Sequence, residues 1–198
     1  MLTLHLVRHG AAEGAEARAM GHTDPPLSAE GRNQVERLAE RSTLRPDRLI
    51  SSDLRRAHET ATLLGGRWDR EPARDARLRE MNFGSWDGKL WSEIESADAA
   101  GLRSWRENWV AAPAPGGESF ADVATRTRQW LDEIQSAPPE SIVVVAHAGS
   151  IRALLCHLLE APLEAAFGFA VDRAGVSTVE WTGNRGRLVR ANGPAILG

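Results

Sequence analysis

Apolar runs and helical stripes alternate along much of the chain. Continuous apolar runs with β-branched members are typical of strands buried in a parallel sheet, whereas apolar residues three and four positions apart are typical of helices. The runs predict strands at 2–7, 47–50 and 142–146. The stripes predict a helix at 150–159 and helices that begin after the capping residues Ser28, Ser51 or Ser52, and Ser119.

Turn-forming residues divide the rest of the chain into shorter elements. The helix from about 53 to 64 is predicted to end at Gly65-Gly66. An edge strand is predicted before Leu78 in an otherwise loop-rich stretch. The last two strands are predicted near 175–182 and 187–191, with Gly183-Asn184 as their hairpin turn.

Alternating strands and helices predict an α/β fold, a three-layer sandwich in which a mostly parallel sheet carries helices on both faces. The stretch from about 90 to 118 interrupts the alternation and carries Trp91, Trp105 and Trp109. It is interpreted as a small helical insertion over the carboxyl edge of the sheet, where open α/β folds bind ligands. The whole chain, 1–198, is expected to form a single domain.

Composition and charge indicate which partners and which cellular compartment to expect. A net charge of −3 provides no general attraction to nucleic acid or to an anionic membrane, so neither is expected as a partner. The single cysteine, Cys156, excludes an intramolecular disulfide and fits a reducing compartment. The sequence has neither a signal-peptide pattern nor an apolar run of membrane-spanning length. We therefore expect a cytoplasmic protein, either a monomer or a homodimer.

Two of the predicted strands end in a histidine followed by small residues. His9 stands in Val-Arg-His-Gly and His147 in Val-Ala-His-Ala-Gly. A histidine at the carboxyl end of a buried strand points into the ligand crevice, and small neighbours let backbone N–H groups approach an anion. The helix that follows His147 adds a positive dipole end. These features favour a phosphate site, with two core histidines that hydrogen-bond a turn as the alternative.

Two arginines and a glutamate extend this candidate site. Arg8 adjoins His9, and Arg56 lies on the first turn of the second predicted helix, where its planar fork can bind an anion over the sheet edge. Glu80 is a candidate general acid. The alternatives are a solvated surface role for Arg56 and a backbone-capping role for Glu80.

The motifs resemble those of the histidine phosphatase superfamily, in its phosphoglycerate-mutase-like branch. Arg-His-Gly follows the first strand, and Ser-Asp-Leu-Arg-Arg-Ala, Leu-Arg-Glu with Phe-Gly-x-Trp-x-Gly, and His-Ala-Gly come after it in that order. The resemblance spans about residues 3–155. Each motif alone is weak, but four in order are a strong signal.

By this resemblance the chain is a phosphomonoester hydrolase that acts on a small-molecule phosphate ester. His9 is the covalent nucleophile and Glu80 the proton donor, with His147 as a third catalytic residue on the phosphoryl group. Arg8, Arg56 and Ala148 bind the phosphoryl oxygens. Because guanidinium and imidazole groups supply the positive charge, neither a metal nor a cofactor is expected.

The chain departs from the family pattern in two places. Ala11-Ala12 stand where Glu-Thr often follows Arg-His-Gly, and Ala148 stands where a glycine is usual. The side-chain roles of the missing Glu and Thr are absent here. The nucleophile and the acid remain, so an active enzyme is expected.

Residues in and around the insertion are candidates for a substrate pocket. Trp105 and Trp109 are four residues apart, and we expect them to share a helix face and to stack a flat group. His22 and Glu118 are expected at the pocket mouth. Within the family, the layout of residues 80–120 is most similar to the α-ribazole-5′-phosphate phosphatases of cobalamin biosynthesis, which implies α-ribazole 5′-phosphate as the substrate.

Three other functions stay open: a broad-range small-molecule phosphatase, a phosphoglycerate mutase, and a non-catalytic phospho-ligand-binding protein. A mutase needs a longer covering insertion, and Ala11, Ala12 and Ala148 are the reason to consider a non-catalytic protein. The remaining histidines and the arginine-rich stretches are interpreted as structural or solvated: His5, His58, His157, 126–128 and 185–190.

Overall fold

A mixed β-sheet forms the centre of the computed structural model, which describes residues 1–134, 141–183 and 185–196. Within these ranges the sheet has six strands: β1 (Leu2–Arg8), β2 (Arg48–Ser51), β3 (Ala73–Arg74), β4 (Ser141–Ala146), β5 (Val176–Trp181) and β6 (Gly186–Gly193). Their order is β3-β2-β4-β1-β5-β6. The first four are parallel, and β5 and β6 are antiparallel to their neighbours. The predicted α/β fold with a mostly parallel sheet is confirmed.

The two central strands are in a register that decides the position of the site. β1 pairs with β4 so that Val7 lies opposite Val145 and Arg8 opposite Ala146. The next residues, His9 and His147, therefore leave the same edge of the sheet side by side. The backbone N–H of His9 also donates to the carbonyl of Ala146 at 3.0 Å, which extends the ladder to the first histidine.

Four helices cover the two faces of the sheet: α1 (Ala29–Glu40), α2 (Arg55–Trp68), α5 (Phe120–Ile134) and α6 (Ala148–Leu158). Alternate residues of β4 point to opposite faces, as the pleat of a strand requires. Val143 and Val145 pack in a core with α1 and α2, whereas Ile142 and Val144 pack in a core with α5 and α6. The three predicted layers are present.

The insertion contains two short helices, α3 (Trp91–Ala97) and α4 (Ala99–Glu107). Ile94 and Leu102 anchor them in a small separate core together with Trp86. The prediction that Trp105 and Trp109 share a helix face is wrong, because α4 ends at Glu107 and Trp109 lies in the turns that follow.

The starts of α1 and α5 agree with the serine caps predicted from the sequence, whereas the bounds of α6 and α2 differ from the prediction. Ser28 caps α1 by accepting from the N–H of Gly31, and Ser119 accepts from the N–H of Asp122 at the start of α5. α6 begins at Ala148, two residues earlier than predicted.

The second difference concerns α2. It begins at Arg55 without a side-chain cap, and it continues through Gly65-Gly66 to Trp68. A Cβ on Gly65 would lie 2.2 Å from the carbonyl oxygen of Arg70, so that glycine allows a close approach of the returning chain. The helix ends where Asp69 adopts a left-handed conformation, with φ of 54°.

The edge strand predicted before Leu78 is present as β3. The turn predicted at Gly183-Asn184 includes Asn184, which lies outside the described residues. In the ranges that the structure describes, no helix is both long enough and apolar enough to cross a membrane.

Candidate active site

His9 and His147 form the centre of the site. Their rings lie 4.9 Å apart between centroids, with their planes inclined at 61°. Both side chains are buried. The prediction that the two histidines face one another at the sheet edge is confirmed.

The hydrogen bonds of His9 assign its tautomer. Nδ1 lies 2.6 Å from the carbonyl oxygen of Gly10, and a carbonyl can only accept, so Nδ1 carries the proton. Nε2 therefore keeps its lone pair. The Nε–H of Arg56 donates to it at 3.3 Å.

Arg56 is wholly buried beneath His9, with a side chain only 1% exposed. Its two other nitrogens donate to backbone carbonyls of the loop after β1, Nη1 to Thr23 at 2.8 Å and Nη2 to Gly21 at 2.7 Å. The alternative that Arg56 is a solvated surface residue is therefore wrong. One guanidinium thus holds the loop and places a positive charge beside Nε2 of His9.

His147 is held by Ser52 at the end of β2. The Oγ of Ser52 lies 2.9 Å from Nε2 of His147 and 3.3 Å from the N–H of Leu54, which donates to it. Nδ1 of His147 is buried and has no hydrogen-bond partner among the described residues. It is the ring nitrogen of this histidine that remains unpaired among the described residues.

Arg8 leaves β1 beside His9 and lines the same cavity. Its Nη1 donates to the carbonyl of Val171 at 2.7 Å, while its Nε is buried without a partner in the part of the chain that the structure describes. Unpaired buried donors are costly, so Nε is a second atom that is ready to receive an anion.

Glu80 reaches the site from the loop between β3 and α3. Both of its carboxylate oxygens accept from the N–H of Gly149, at 3.0 and 3.1 Å, and Oε1 also accepts from the N–H of Met81 at 2.9 Å. The carboxylate thus lies at the positive end of α6. Glu80, Ala148 and Gly149 all line the cavity that contains His9.

Arg126 of α5 holds the backbone of the Glu80 segment, and sequence reasoning missed it. It donates to the carbonyls of Arg77, Arg79 and Glu80 at 2.6, 2.8 and 2.9 Å. Its side chain is only 16% exposed, so the interpretation of 126–128 as solvated is wrong at this residue. No local pattern separates it from its neighbour Arg128, which is half exposed and pairs with Asp132.

His22 and Glu118 lie behind Glu80 and are not among the described residues that line the cavity. Nε2 of His22 donates to the carbonyl of Glu80 at 3.0 Å. Glu118 accepts from Arg126 at 2.9 Å and from the N–H of Asn82 at 2.9 Å. Both residues were predicted at the pocket mouth, and the structure places them in the support of the Glu80 loop.

Positive charge and burial keep both histidines neutral. The pKa of His9 is well below its ordinary value because burial penalises the imidazolium and because Arg56 and Arg8 repel it. The pKa of His147 is also well below its ordinary value, through burial first and then through Arg56 and His9. A neutral imidazole is the form that can act as a nucleophile.

The cavity above the histidines has a volume of about 490 Å³. One wall is aromatic. Trp91 and Trp105 stack at 6.0 Å with an interplanar angle of 23°, and Trp109 lies 4.7 Å from the ring of Phe167. The predicted pocket residues Trp105 and Trp109 both line this cavity.

The family departures are accommodated locally. Ala11 and Ala12 are buried, and the N–H of Ala11 donates to Oε1 of Gln34 at 3.0 Å while its carbonyl accepts from Ser28. The backbone groups of Ala11 are thus paired with α1 and its capping residue, and Ala12 forms a β-bridge with Leu27. Ala148 lines the cavity together with Glu80.

Comparison with known proteins identifies the class. The model of the histidine phosphatase superfamily, branch 1, matches residues 4–194. The chain belongs to the histidine phosphatase superfamily, so the predicted family and the predicted class of enzyme, a phosphatase, are confirmed.

Individual relatives differ in their substrates. Glucosyl-3-phosphoglycerate phosphatase of Mycobacterium tuberculosis is 41% identical over 172 residues, which cover 81% of this chain and 76% of that protein. Phosphoserine phosphatase 1 of Hydrogenobacter thermophilus is 32% identical over 201 residues, which cover 100% and 95%. The crystal structure of α-ribazole phosphatase from Shigella flexneri matches with a TM-score of 0.90 at 28% identity and 98% coverage of both chains.

Proposed function

We propose that the chain hydrolyses small-molecule phosphomonoesters through a phosphohistidine formed on Nε2 of His9. The observation that carries the proposal is the bond from Nδ1 of His9 to the carbonyl of Gly10 at 2.6 Å. It leaves Nε2 unprotonated, with a lone pair that accepts from the Nε–H of Arg56 at 3.3 Å and that attacks phosphorus once this hydrogen bond opens. A neutral, oriented imidazole with a fixed cation beside it is suited to attack phosphorus.

In the first step Nε2 of His9 bonds to phosphorus and the ester P–O bond breaks. The leaving oxygen takes a proton from Glu80, which becomes a carboxylate. In the second step Glu80 removes a proton from water, the water oxygen bonds to phosphorus, and the N–P bond breaks. His9 and protonated Glu80 are restored, and inorganic phosphate leaves.

The phosphoryl oxygens require donors that are already in place. Nε of Arg8 and Nδ1 of His147 are buried without partners in the described chain, and both lie around His9. His147 donates from Nδ1 when Ser52 donates its O–H to Nε2, and Ser52 can do so while accepting from Leu54. The positive charge of Arg56 and the helix dipole at the first turn of α6, at Ala148, also stabilise the phosphoryl anion. Both are already in place, so the protein need not rearrange as the reaction proceeds.

The test is direct detection of the intermediate. Wild-type protein mixed with a ³²P-labelled ester and quenched in alkali should carry a label that acid removes. His9→Ala should carry no label and show no turnover while keeping its circular dichroism spectrum. His58→Ala, a histidine outside the cavity, is the matched control and should be labelled. Comparable turnover in His9→Ala contradicts the proposal.

The same assay separates the alternative functions. A phosphoglycerate mutase would interconvert phosphoglycerates with little release of phosphate. A non-catalytic protein would bind vanadate or phosphate and release no product from an aryl phosphate. Metal independence stays a prediction, and unchanged turnover in excess chelator is the result it expects.

α-Ribazole 5′-phosphate stays a prediction as the particular substrate. The likeness to α-ribazole phosphatase and the aromatic wall support it. Trp105, however, already stacks on Trp91 and meets the edge of Trp86 at 5.6 Å, so much of its ring surface is packed against protein. The kcat/KM for α-ribazole phosphate, nucleoside monophosphates, sugar phosphates and phosphoglycerates decides between substrates, with Trp105→Ala and Trp109→Ala measured beside the wild type.

A further inference from the structure

The cavity is strongly positive although the chain as a whole is negative. The chain has a net charge of −3. Among the described residues, one carboxylate lines the cavity, that of Glu80, against the following arginines: Arg8, Arg18, Arg106, Arg152 and Arg173. A phosphoryl group with its nearly two negative charges is met by Arg8 and the amino end of α6, with the charge of the buried Arg56 beside His9. The outer arginines therefore exceed what the phosphoryl group requires.

Arg152 is held over the cavity by neighbours that give it no ion pair among the described residues. It lies on α6, one turn after Gly149. Its Nε donates to the carbonyl of Phe169 at 3.2 Å, and its guanidinium carbon lies 4.9 Å from the centre of the Phe167 ring. Its two Nη groups have no hydrogen-bond partner among the described residues. Burial lowers its pKa, with Glu80 acting in the opposite direction.

Arg173 approaches from the loop before β5. It makes no hydrogen bond or ion pair within the described ranges, yet it lies close enough to lower the pKa of both His9 and Arg8. The loop itself is anchored, because the N–H of Ala174 donates to the carbonyl of Arg8 at 3.1 Å and the N–H of Gly175 to that of Asp172 at 2.9 Å. The backbone that carries this unpaired guanidinium is thus fixed beside the phosphate pocket.

We propose that Arg152 and Arg173 form a subsite for a carboxylate, so that the preferred substrates are phosphomonoesters of small carboxylic acids. This proposal competes with the prediction of α-ribazole 5′-phosphate, which has no carboxylate. This inference rests on the proposed hydrolase function. A neutral group bound here would desolvate the guanidiniums without giving them a partner, which is costly. A planar carboxylate matches the guanidinium fork and compensates the charge.

The proposal is tested with pairs of esters that differ in the carboxylate: 3-phosphoglycerate against glycerol 3-phosphate, and phosphoserine against phosphoethanolamine. Phosphate release is measured. For the wild type we expect kcat/KM to favour the carboxylated member by about tenfold or more, since the added hydrogen bonds are charge-assisted. In Arg152→Gln and Arg173→Gln the ratio should fall towards one, mainly through a higher KM for the carboxylated ester.

Arg187→Gln is the matched control, because Arg187 pairs with Glu180 on the exposed side of β6 and should keep the wild-type ratio. The subsite proposal is overturned if the wild type hydrolyses both members of each pair at equal rates. It is also overturned if both cavity variants keep the wild-type ratio of kcat/KM. Neither result contradicts the proposed hydrolase function. Absence of turnover with every ester overturns the hydrolase proposal itself. Arg173→Gln breaks no described hydrogen bond, so the test survives if Arg152→Gln fails to fold.

Discussion

The backbone N–H of Gly149 bridges both carboxylate oxygens of Glu80, at 3.0 and 3.1 Å. The approach is so close that a Cβ on Gly149 would lie 2.1 Å from Oε1 of Glu80. The glycine of His-Ala-Gly therefore has a role that its neighbour lacks: it leaves room for the proposed proton donor at the start of α6.

Gly149→Ala should lower the activity while leaving the thermal stability nearly unchanged. Alanine favours a helix by about 1 kcal/mol over glycine, and the clashing atom is the end of a flexible side chain that can move aside. We expect little loss of thermal stability and a fall in kcat of about tenfold or more, because Glu80 is displaced from its position. Ala148→Gly is the control and should keep its activity. Full kcat in Gly149→Ala would show that the position of Glu80 does not limit turnover.

Arg126→Met should lower kcat more than it raises KM. The arginine holds the carbonyls of Arg77, Arg79 and Glu80, and it makes no described hydrogen bond to His9, His147 or Arg8. A small displacement of a catalytic group can cost about a hundredfold in rate, so we expect a tenfold to hundredfold loss. Arg128→Met, on the same helix with an exposed ion pair, should change neither constant. A change confined to KM would argue against a positioning role.

His9 should remain neutral well below pH 6.5 in the ligand-free protein. Removing a neighbouring cation relieves repulsion of the imidazolium, so Arg8→Gln should raise the pKa of His9. ¹⁵N NMR of the imidazole across pH 4–8 measures both the titration and the tautomer. The expected neutral form carries its proton on Nδ1. A proton on Nε2, or ordinary titration near pH 6.5 in the wild type, contradicts the assignment.

His5 should make the protein less stable in mild acid. It is 2% exposed on β1, its Nδ1 lies 3.1 Å from Oγ1 of Thr178, and burial and Arg190 lower its pKa to about 4. Because the unfolded chain binds this proton first, the stabilisation is complete above pH 6.5 and is lost as the pH falls towards 4. Between pH 7 and pH 5 this contributes about 2 kcal/mol to the loss of unfolding free energy.

Urea unfolding at the two pH values checks this, with His5→Leu expected to lose about 2 kcal/mol less than the wild type. Thr178→Val removes the hydroxyl partner but leaves the buried imidazole, so it should keep the pH dependence. Equal losses in His5→Leu and the wild type would assign the acid sensitivity to other groups, the buried His9 and His147 among them.

The sequence by itself determined the layers and the centre of the site. Apolar runs identified β1 and β4, and a histidine directly after each strand predicted that the two side chains meet, because parallel strands end at one edge of a sheet. Serine caps predicted the starts of α1 and α5. These are short-range properties, carried by residues within a few positions of one another.

Only the tertiary structure decided which residues support and surround that centre. Arg126 and Arg128 are indistinguishable in the sequence, yet one holds Glu80, 46 residues away, and the other lies on the surface. His22 was expected at the pocket mouth and lies behind Glu80. Arg173 belongs to no motif, yet it lines the same cavity as His9 and lowers the pKa of that histidine through its charge. The physical reason is that such contacts depend on how loops pack over the sheet, and no local pattern encodes that packing.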